Sequence, residues 1–446
     1  MKKESKHFQV AVLGGGVTGS AIFHVLSKYT NINSIALIEK CDHLGQINSK
    51  ENNNSQTLHF GDIEANYSFE KAKSTKAASE MVVNYLKKLG DEGKKMYTIA
   101  PKLLLAVGEK EINIFNERFK TFKEIFPDFK KLYREDIALI EPEIVNGRKA
   151  DEQIVAGYSE NGYTVDFGKL AESFVEEAKK DTGKDLQVSL NTKVEKIIKQ
   201  EKGFLIITDK EEIVADIIVV AMCSHSLMFA KSLGYGKEFS ILPVGGNFYT
   251  SERKVLNCKV YTMQNDKMPF AGVHGDPNIY NEDQTRFGPT ANIIPLLERN
   301  NLKTFFDFVR STGSLYSILA LLRVISDKIL FTFLSKSLIY EIPYFGPRAY
   351  VKLCRKIIPT LKYEDFKNGK SKAGIRPQLV DNRTGKFKMG EAEIIGDNII
   401  FNISPSPGAS VCLANAAKNA KRVIDFSAGK FRFEEGEFDR DFINFL

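Results

Sequence analysis

The sequence has few cysteines and no long apolar run, and both absences limit what the protein can be. Five cysteines are scattered along 446 residues. An odd number without paired spacing argues against a disulfide framework and fits a reducing cytosol. No uncharged apolar run reaches the roughly 18 residues that span a bilayer. Residues 1–6 are polar and lead directly into an apolar stretch, so we expect no secretory signal.

The sequence also lacks cysteines and histidines at the spacing of a metal-ligand set. Two Cys-x-His pairs, Cys41/His43 and Cys223/His225, stand alone in the sequence, and we therefore expect no metal site. No internal repeat is visible. No recognised nucleic-acid-binding module accompanies the basic residues, so we expect no nucleic-acid partner.

Charge is unevenly distributed along a chain of otherwise ordinary composition. Apolar residues make up 43% and charged residues 27%, as in globular proteins, and the length predicts two domains. The net charge is +7, yet residues 301–372 alone hold 13 Lys and Arg against 5 Asp and Glu. This segment carries the whole surplus of positive charge and needs its own explanation.

The strongest motif is a glycine-rich turn between an apolar strand and a helical stretch. Gly14, Gly16 and Gly19 form a G-x-G-x-x-G sequence. One glycine permits the tight turn, the next lets a pyrophosphate approach the backbone, and the third lets the helix pack on the strand. Glu39 closes a second apolar run, where its carboxylate can accept hydrogen bonds from a ribose diol. The motif predicts dinucleotide binding, with a purely structural glycine turn as the alternative.

Two later segments have the composition of ligand-contacting loops. Residues 41–63, after the second predicted strand, are rich in small and amide side chains that suit hydrogen bonding to a ring system. Residues 404–410 precede a predicted helix and could form a second anion or polar-ring site. The continuous apolar run at 213–221 is typical of a central parallel strand. The sequence therefore predicts a ligand at the carboxyl edge of a parallel sheet.

Four motifs in the same chain carry a resemblance to a known family. They are the glycine turn with Glu39; Asn-Ser-Gln-Thr-Leu-His-Phe-Gly at 54–61; residues 271–276 followed by 285–290; and residues 374–377 with 406–409. In this order they resemble those of the malate:quinone oxidoreductases, particularly the short ε-proteobacterial form. That family lies within the superfamily of D-amino-acid-oxidase and glycerol-3-phosphate-dehydrogenase flavoproteins.

The resemblance implies both a fold and an activity. It implies an α/β protein, with a Rossmann-like FAD-binding domain of the glutathione-reductase-like type and a second, mixed-sheet α+β substrate domain. We expect residues 1–90, 150–235 and 375–446 in the discontinuous FAD-binding domain, and 91–149 and 236–374 in the substrate domain. The implied reaction oxidises malate with FAD and passes electrons to membrane quinone. The implied location is the cytoplasm, peripheral on the inner face of the cytoplasmic membrane. No oligomeric state is indicated.

The resemblance also assigns roles to individual residues. Oxidation of a 2-hydroxy acid moves a hydride to the flavin while a base takes the hydroxyl proton, and histidine suits that proton transfer. His274 is the first candidate for the base, with a structural histidine as the alternative, and His59 is the second candidate. The predicted FAD contacts are Gly14, Gly16, Val17, Thr18, Gly19, Glu39, Lys40, Ser55, Gln56, Thr57, Val194, Ser406, Gly408, Ala409 and Ser410.

A carboxylate substrate favours a guanidinium, because its planar fork gives a bidentate pair. Arg376 matches the carboxylate-binding arginine of the superfamily. Arg286 is the candidate for the second carboxylate of malate, with a cross-strand salt bridge as the alternative. Gln56 is a further candidate for a polar contact with the substrate.

The basic segment within 300–370 alternates apolar runs with Lys and Arg. Such a pattern can lie in a membrane interface, with its apolar face down and its cations towards anionic lipid. An ordinary amphipathic subdomain over the substrate site is the alternative, and the resemblance favours the membrane.

Other activities remain open at this point. Lactate or 2-hydroxyglutarate could replace malate, and oxygen could replace quinone in an oxidase. A flavin- or nucleotide-binding protein without turnover is the candidate from a different class. NAD as acceptor is disfavoured, because the sequence has only one dinucleotide fingerprint.

Overall fold

The computed structural model describes residues 6–180, 183–264, 272–278, 281, 283–366, 370–388 and 392–444. A strand is expected from the sequence at residues 270–274, but its first two residues, Phe270 and Ala271, lie outside the described residues. Ala271 is also the first residue of the 271–276 motif. Residues 1–5, at the polar start of the chain, lie outside the described residues as well.

The described strands, in chain order, are β1 (Lys6–Leu13), β2 (Ser34–Ile38), β3 (Tyr97–Ile99), β4 (Lys102–Val107), β5 (Lys130–Leu132), β6 (Ile154–Ser159), β7 (Tyr163–Val165), β8 (Asp185–Ser189), β9 (Val194–Lys199), β10 (Phe204–Thr208), β11 (Glu212–Val220), β12 (Phe239–Gly245), β13 (Asn247–Ser251), β14 (Lys259–Thr262), β15 (His274–Pro277), β16 (Thr285–Gly288), β17 (Asn292–Ile293), β18 (Lys370–Lys372), β19 (Arg376–Asp381), β20 (Lys386–Lys388), β21 (Ala392–Gly396) and β22 (Ile399–Ile403).

The described helices are α1 (Val17–Lys28), α2 (Phe69–Lys88), α3 (Asp91–Lys94), α4 (Glu109–Phe122), α5 (Arg134–Ile140), α6 (Pro142–Val145), α7 (Phe167–Lys179), α8 (Ser226–Ser232), α9 (Thr304–Thr312), α10 (Leu315–Ile325), α11 (Lys328–Ile339), α12 (Phe345–Cys354), α13 (Cys412–Phe426) and α14 (Glu435–Phe442).

The first sheet has the strand order β21-β22-β11-β1-β2-β8, with β10 and β9 added beside β11. Strand β1 runs parallel to β2 and β11, and β11 runs parallel to β22. Strand β1 is apolar on both faces: Val10 and Val12 belong to the core that includes side chains of α1, α7 and α13, and Ala11 and Leu13 belong to the opposite core. This two-sided burial explains the continuous apolar runs of its central strands.

The second region contains an eight-stranded sheet, β18-β13-β16-β15-β14-β4-β6-β5, and a four-stranded sheet, β17-β12-β19-β20. Strands β4 and β14 are parallel, whereas the other neighbours in the eight-stranded sheet are antiparallel. The expected α/β class with a mixed second region is therefore confirmed. Strands β6 and β19 pair within this region, although both were expected in segments of the FAD-binding domain.

Helices α9 to α12 occupy most of the basic segment and leave many apolar side chains exposed. Inner side chains of α10 and α11, among them Leu321 and Leu334, share a core with Leu242 and Val380. Tyr350 and Val351 of α12 belong instead to a core of the eight-stranded sheet. The exposed apolar set of this segment comprises Leu302, Phe305, Phe306, Val309, Leu315, Tyr316, Ile318, Leu319, Leu322, Ile329, Phe331, Leu338, Ile339, Ile342, Tyr344, Phe345 and Leu353.

No individual helix within the described ranges has both the length and the apolar character needed to cross a bilayer. Helices α9 and α10 taken together meet that requirement by length and composition, but they are bent by 98°.

Candidate active site

The glycine turn joins β1 to α1 at the wall of a cavity of about 490 Å³. Gly14 has a φ of +107°, and a Cβ at this position would lie 2.6 Å from the Ala221 carbonyl oxygen. A Cβ on Gly19 would lie 1.9 Å from the Gly14 carbonyl oxygen. A Cβ on Gly16 would meet only Ser49, at 3.6 Å. Two glycines are thus required by close packing, and the turn brings the N-terminus of α1 to the cavity.

Glu39 follows β2, and two backbone amides orient its carboxylate. Its Oε2 accepts a hydrogen bond from the Gly15 N–H (2.6 Å), and its Oε1 accepts one from the Cys41 N–H (2.8 Å). The next residue, Lys40, forms an ion pair with Glu298, just before α9. Because Glu39 and Lys40 both line the cavity, the carboxyl end of β2 contributes one charge of each sign to its wall.

Most of the predicted cofactor contacts line this one cavity. Gly19 and Gln56 are not among the lining residues, because Gly19 packs beneath the turn and Gln56 is buried with a φ of +57°. The predicted contacts that do line it are Gly14, Gly16, Val17, Thr18, Glu39, Lys40, Ser55, Thr57, Val194, Ser406, Gly408, Ala409 and Ser410.

Sequence reasoning missed part of the cavity wall. The Asn48 amide donates to the Ile375 carbonyl oxygen (3.1 Å) and to the Cys223 Sγ (3.3 Å), and thereby connects three segments of the wall. The Asn-rich composition of its loop was the available signal. Asp307 and Arg310 of α9 also line the cavity. No sequence signal distinguished them from the solvent-exposed face of an amphipathic helix.

Arg376 begins β19, where it is opposite Val244 of β12. Its half-buried side chain lines the cavity, and it forms no hydrogen bond or ion pair with another described residue. Burial lowers the pKa of the guanidinium, which nevertheless stays charged at neutral pH. A desolvated cation without a partner is a strong ligand for a carboxylate.

His59 also lines the cavity, and its orientation is fixed by a carboxylate. Its Nδ1 lies 2.5 Å from Glu64 Oε1, and both side chains are almost fully buried. The His59 N–H donates to Ser410 Oγ (2.9 Å), and Ser79 Oγ donates to the His59 carbonyl oxygen (2.5 Å). The ring nitrogen without a hydrogen bond to another described residue is therefore Nε2.

His274 lies in a buried cluster and is not among the residues that line the cavity. Its ring stacks on Tyr261 at 4.4 Å, and its Nδ1 is 2.8 Å from Asp276 Oδ2. Lys259 Nζ lies 3.6 Å from Asp276 Oδ1 and donates to Thr57 Oγ1 (3.0 Å). The cluster therefore reaches the cavity wall through Thr57.

Burial changes the proton affinities within this cluster. Desolvation lowers the pKa of His274 and lowers the pKa of Lys259 to about 8. Burial opposes ionisation of Asp276, but the neighbouring His274 and Lys259 hold the pKa of its carboxyl well below the usual range. The cluster thus keeps a carboxylate charged in the interior through the Lys259 and His274 side chains beside it.

Neither of the remaining substrate candidates lines the cavity. Arg286 donates to the Asn54 carbonyl oxygen (3.2 Å) and lies over the Phe248 ring at 4.7 Å. It is also opposite Asp276 across β15 and β16. The Gln56 Nε2 is buried without a hydrogen-bond partner among the described residues.

The described residues contain no group of three or more His, Cys, Asp and Glu side chains arranged to hold a metal. All five cysteines are free thiols. The residues that are present fit a flavin dinucleotide instead. A helix N-terminus with a close-packed glycine turn suits a pyrophosphate, Glu39 suits a ribose, and the 404–410 loop adds small polar groups to the same cavity.

Comparison with known proteins identifies the family of this chain. The malate:quinone oxidoreductase (Mqo) family model matches residues 6–428. A probable malate:quinone oxidoreductase of Campylobacter jejuni is 37% identical over 98% of this chain and 99% of its own length. The malate:quinone oxidoreductase of Helicobacter pylori is 37% identical over 96% and 97%. The dithionite-reduced, FAD-bound L-α-glycerophosphate oxidase of Mycoplasma pneumoniae has a TM-score of 0.64 at 18% identity, covering 94% of this chain and 95% of that one. The chain therefore belongs to the malate:quinone oxidoreductase family.

Proposed function

We propose that the chain oxidises malate with bound FAD and passes the electrons to quinone. Membership of the family supports this reaction. One structural observation supports assigning it to residues of this chain. The guanidinium of Arg376, which has no hydrogen-bond or ionic partner among the described residues, lines the same cavity as the glycine turn. One cavity thus offers both a dinucleotide site and a carboxylate site.

FAD supplies the hydride acceptor when it is bound. We assign its ADP half to the glycine turn and Glu39, with further contacts from Lys40 and Val194. We assign the polar contacts of its ring system to Ser55, Thr57 and the 404–410 loop. Gly19 serves the site through the packing of α1 on the turn.

Arg376 is the proposed ligand of the substrate carboxylate. Its position at the start of a paired strand limits its movement, so a bidentate pair would also orient the hydroxyl-bearing carbon. For the second carboxylate of malate, Gln56 and Arg286 are the candidates. The Gln56 Nε2 has no hydrogen-bond partner among the described residues, and this supports Gln56 over Arg286, whose guanidinium already binds the Asn54 carbonyl oxygen.

His59 is the proposed base that takes the hydroxyl proton, with His274 as the second candidate. This order reverses the preference from the sequence. His59 lines the cavity, and its Nε2 has no hydrogen bond to another described residue, whereas His274 is 1% exposed and is separated from the cavity by its own cluster. A base must come within hydrogen-bond reach of the proton that it abstracts, and this requirement favours His59.

We further propose that helices α9 to α12 attach the protein peripherally to the anionic inner surface of the cytoplasmic membrane. The exposed apolar set supports this, with Leu315 at 72% and Phe306 at 67% exposure. Apolar side chains and interspersed cations are the features of an interfacial segment. Quinone dissolved in lipid would then be close to the protein.

Anaerobic mixing of the yellow holoprotein with 2-hydroxy acids tests the proposed activity. We expect malate to bleach the flavin absorbance, and lactate and 2-hydroxyglutarate to do so much more slowly. Re-oxidation by a quinone analogue should then restore the spectrum. Faster bleaching by another 2-hydroxy acid would reassign the substrate. A flavin that no acid bleaches would instead point to a binding protein without turnover.

A further inference from the structure

We infer that Glu64 is a positioning residue for His59, and that Arg118 holds the segment from which Glu64 acts. This inference rests on the proposed role of His59 as the base. It concerns two residues that touch neither the proposed substrate ligand nor the glycine turn. It explains why a buried carboxylate and a buried guanidinium lie directly behind the histidine that lines the cavity.

The Glu64 carboxylate accepts hydrogen bonds from two donors at once. Its Oε1 faces His59 Nδ1 at 2.5 Å, and its Oε2 accepts from the Gly61 N–H at 2.7 Å. An ionised carboxylate has acceptors only, so it can satisfy both donors. The N–H of Gly61 belongs to the same short segment and fixes the carboxylate relative to the ring.

This arrangement sets which ring nitrogen carries the proton. A carboxylate at Nδ1 favours the Nδ1–H tautomer, which leaves a lone pair on Nε2. Since His59 lines the cavity, that lone pair is available to the hydroxyl proton of a substrate. The buried carboxylate also stabilises the imidazolium that forms when the proton is taken, as in other histidine–carboxylate pairs.

Arg118 of α4 binds the carbonyl oxygens of the same segment. Its Nη2 donates to the carbonyls of Glu64 (2.8 Å) and Gly61 (3.1 Å), and its Nη1 donates to that of Tyr67 (2.7 Å). The guanidinium also lies 3.4 Å above the ring centre of Phe122, and burial lowers its pKa to about 10. The guanidinium also contacts the Ala65 carbonyl oxygen at 3.5 Å. A rigid guanidinium fork that binds four carbonyls of one loop keeps the loop from shifting.

The main chain of His59 is held independently of Glu64. Ser410 accepts its N–H, and Ser79 binds its carbonyl oxygen. The position of the residue therefore does not need Glu64, but the tautomer and the orientation of the ring do. A substitution at Glu64 should consequently affect the proton transfer and leave the surroundings in place.

The test is the Glu64→Gln variant of the FAD-loaded protein. The two donors contact different oxygens of Glu64, and glutamine keeps an oxygen at only one of these two positions. If that oxygen stays with the Gly61 N–H, the NH₂ faces Nδ1 and favours the wrong tautomer. We expect the anaerobic rate of flavin reduction by saturating malate to fall roughly 100-fold, the scale of a general-base contribution. The KM for malate should stay within about threefold, because Arg376 binds the carboxylate. The solvent deuterium isotope effect on flavin reduction should rise, since proton transfer becomes rate-limiting.

Three further variants complete the experiment. Glu64→Asp retains a carboxylate and should recover part of the lost rate. Arg118→Lys replaces a planar fork by a point charge and should slow reduction with the same rise in the isotope effect. Glu80→Gln, at the partly exposed Lys76–Glu80 ion pair of α2, should reduce its flavin at the wild-type rate.

The outcomes separate this inference from the role of His59. A slow Glu64→Gln variant with a raised isotope effect supports the inference. Wild-type reduction by Glu64→Gln, together with slow reduction by His59→Gln, would overturn it and leave His59 as the base. Wild-type reduction by His59→Gln would remove the base assignment itself. If Asp276→Asn raised the isotope effect and Glu64→Gln did not, the base would be His274.

Discussion

Arg376 combines three properties that seldom occur together in a structural arginine. It is half-buried, it lines the cavity, and it lacks an ionic partner among the described residues. Leaving a buried cation unpaired costs free energy unless a ligand completes it. In the proposed role, a bound substrate carboxylate would offset this cost and would thereby stabilise the folded protein.

The first prediction concerns this residue. The Arg376→Ala variant should raise the KM for malate about 100-fold, because hydrogen bonds to a charged group contribute about 1.5 to 3 kcal/mol each. The flavin should remain bound, because the glycine turn is distant in sequence and independent of the side chain. Steady-state kinetics and the visible spectrum of the purified protein measure the two effects.

Arg383→Ala is the matched control for this prediction. Arg383 follows the same strand, is 68% exposed, and pairs with Asp381. Its loss should leave the KM for malate unchanged. A wild-type KM in Arg376→Ala would exclude Arg376 as the carboxylate ligand.

The second prediction concerns His24, a buried histidine of α1 away from the proposed chemistry. Burial lowers its pKa from 6.5 to about 3, and its Nδ1 is 3.1 Å from the Phe174 carbonyl oxygen. Between these pH values the unfolded chain binds a proton that the folded chain does not. The free energy of unfolding should therefore fall as the pH falls, by about 2 kcal/mol between pH 6.5 and 5 from this residue.

Thermal unfolding at pH 7 and pH 5 measures this contribution. The Tm of the wild type should fall on acidification by more than the Tm of His24→Gln. The exposed His43→Gln variant is the control and should follow the wild type. Equal falls in the wild type and in His24→Gln would contradict the assignment.

At the scale of elements, α9 to α12 differ from every other described helix group in how many apolar side chains they expose. The buried faces of α10 and α11 contribute to the core beside the four-stranded sheet, and the buried face of α12 contributes to a core of the eight-stranded sheet, so the helices are anchored to the protein on one side. The opposite side has no apolar partner within the described part of the chain. A membrane surface would cover it without requiring any helix to cross the bilayer.

The third prediction follows from this surface. Leu319 and Leu322 of α10 are 55% and 54% exposed. Their joint replacement by Glu should reduce co-sedimentation with anionic vesicles about tenfold or more, because each buried apolar side chain contributes about 1.5 to 3 kcal/mol. Bleaching of the flavin by malate should be unchanged, since neither residue lines the cavity.

The control substitution is Leu139→Glu in α5. Leu139 is 86% exposed but lies outside the basic segment, so its replacement should leave vesicle binding intact. Failure of the wild-type protein to bind vesicles at both low and high salt would overturn the membrane proposal.

At the scale of the whole molecule, local patterns specified the first sheet well. The glycine turn, Glu39 and the 213–221 run lie where strand and helix periodicity predicted them, because a parallel strand buried on both faces has a distinctive composition. The expected bounds of the two domains depend on strand pairing between distant parts of the chain and stay a prediction. Strands β6 and β19 join the second region through pairings with β4 and β12, and such long-range pairing leaves no mark on the local sequence.

Most residues of the candidate site could be predicted from the sequence, but the burial of each residue relative to the cavity could not. The motifs identified both histidines and Arg376. They could not indicate that His274 would stack on Tyr261 behind the wall while His59 would line the cavity. Burial depends on the register of β14 and β15, which hydrophobic alternation alone does not fix. The sequence also contains no indication that Glu64, Arg118 and Lys259 are buried, because charged residues are usually exposed.

The strand order of the first sheet also determines when the site can be assembled during synthesis. Strand β1 is among the first elements translated, whereas its neighbour β11 is covered on the other edge by β10 and by the late strand β22. At about 5 to 20 residues per second, β22 follows β1 by roughly 20 to 80 s. The 404–410 loop emerges later still. The glycine turn is therefore synthesised long before the 404–410 loop that completes the cavity. We expect FAD to bind at the end of translation or after it.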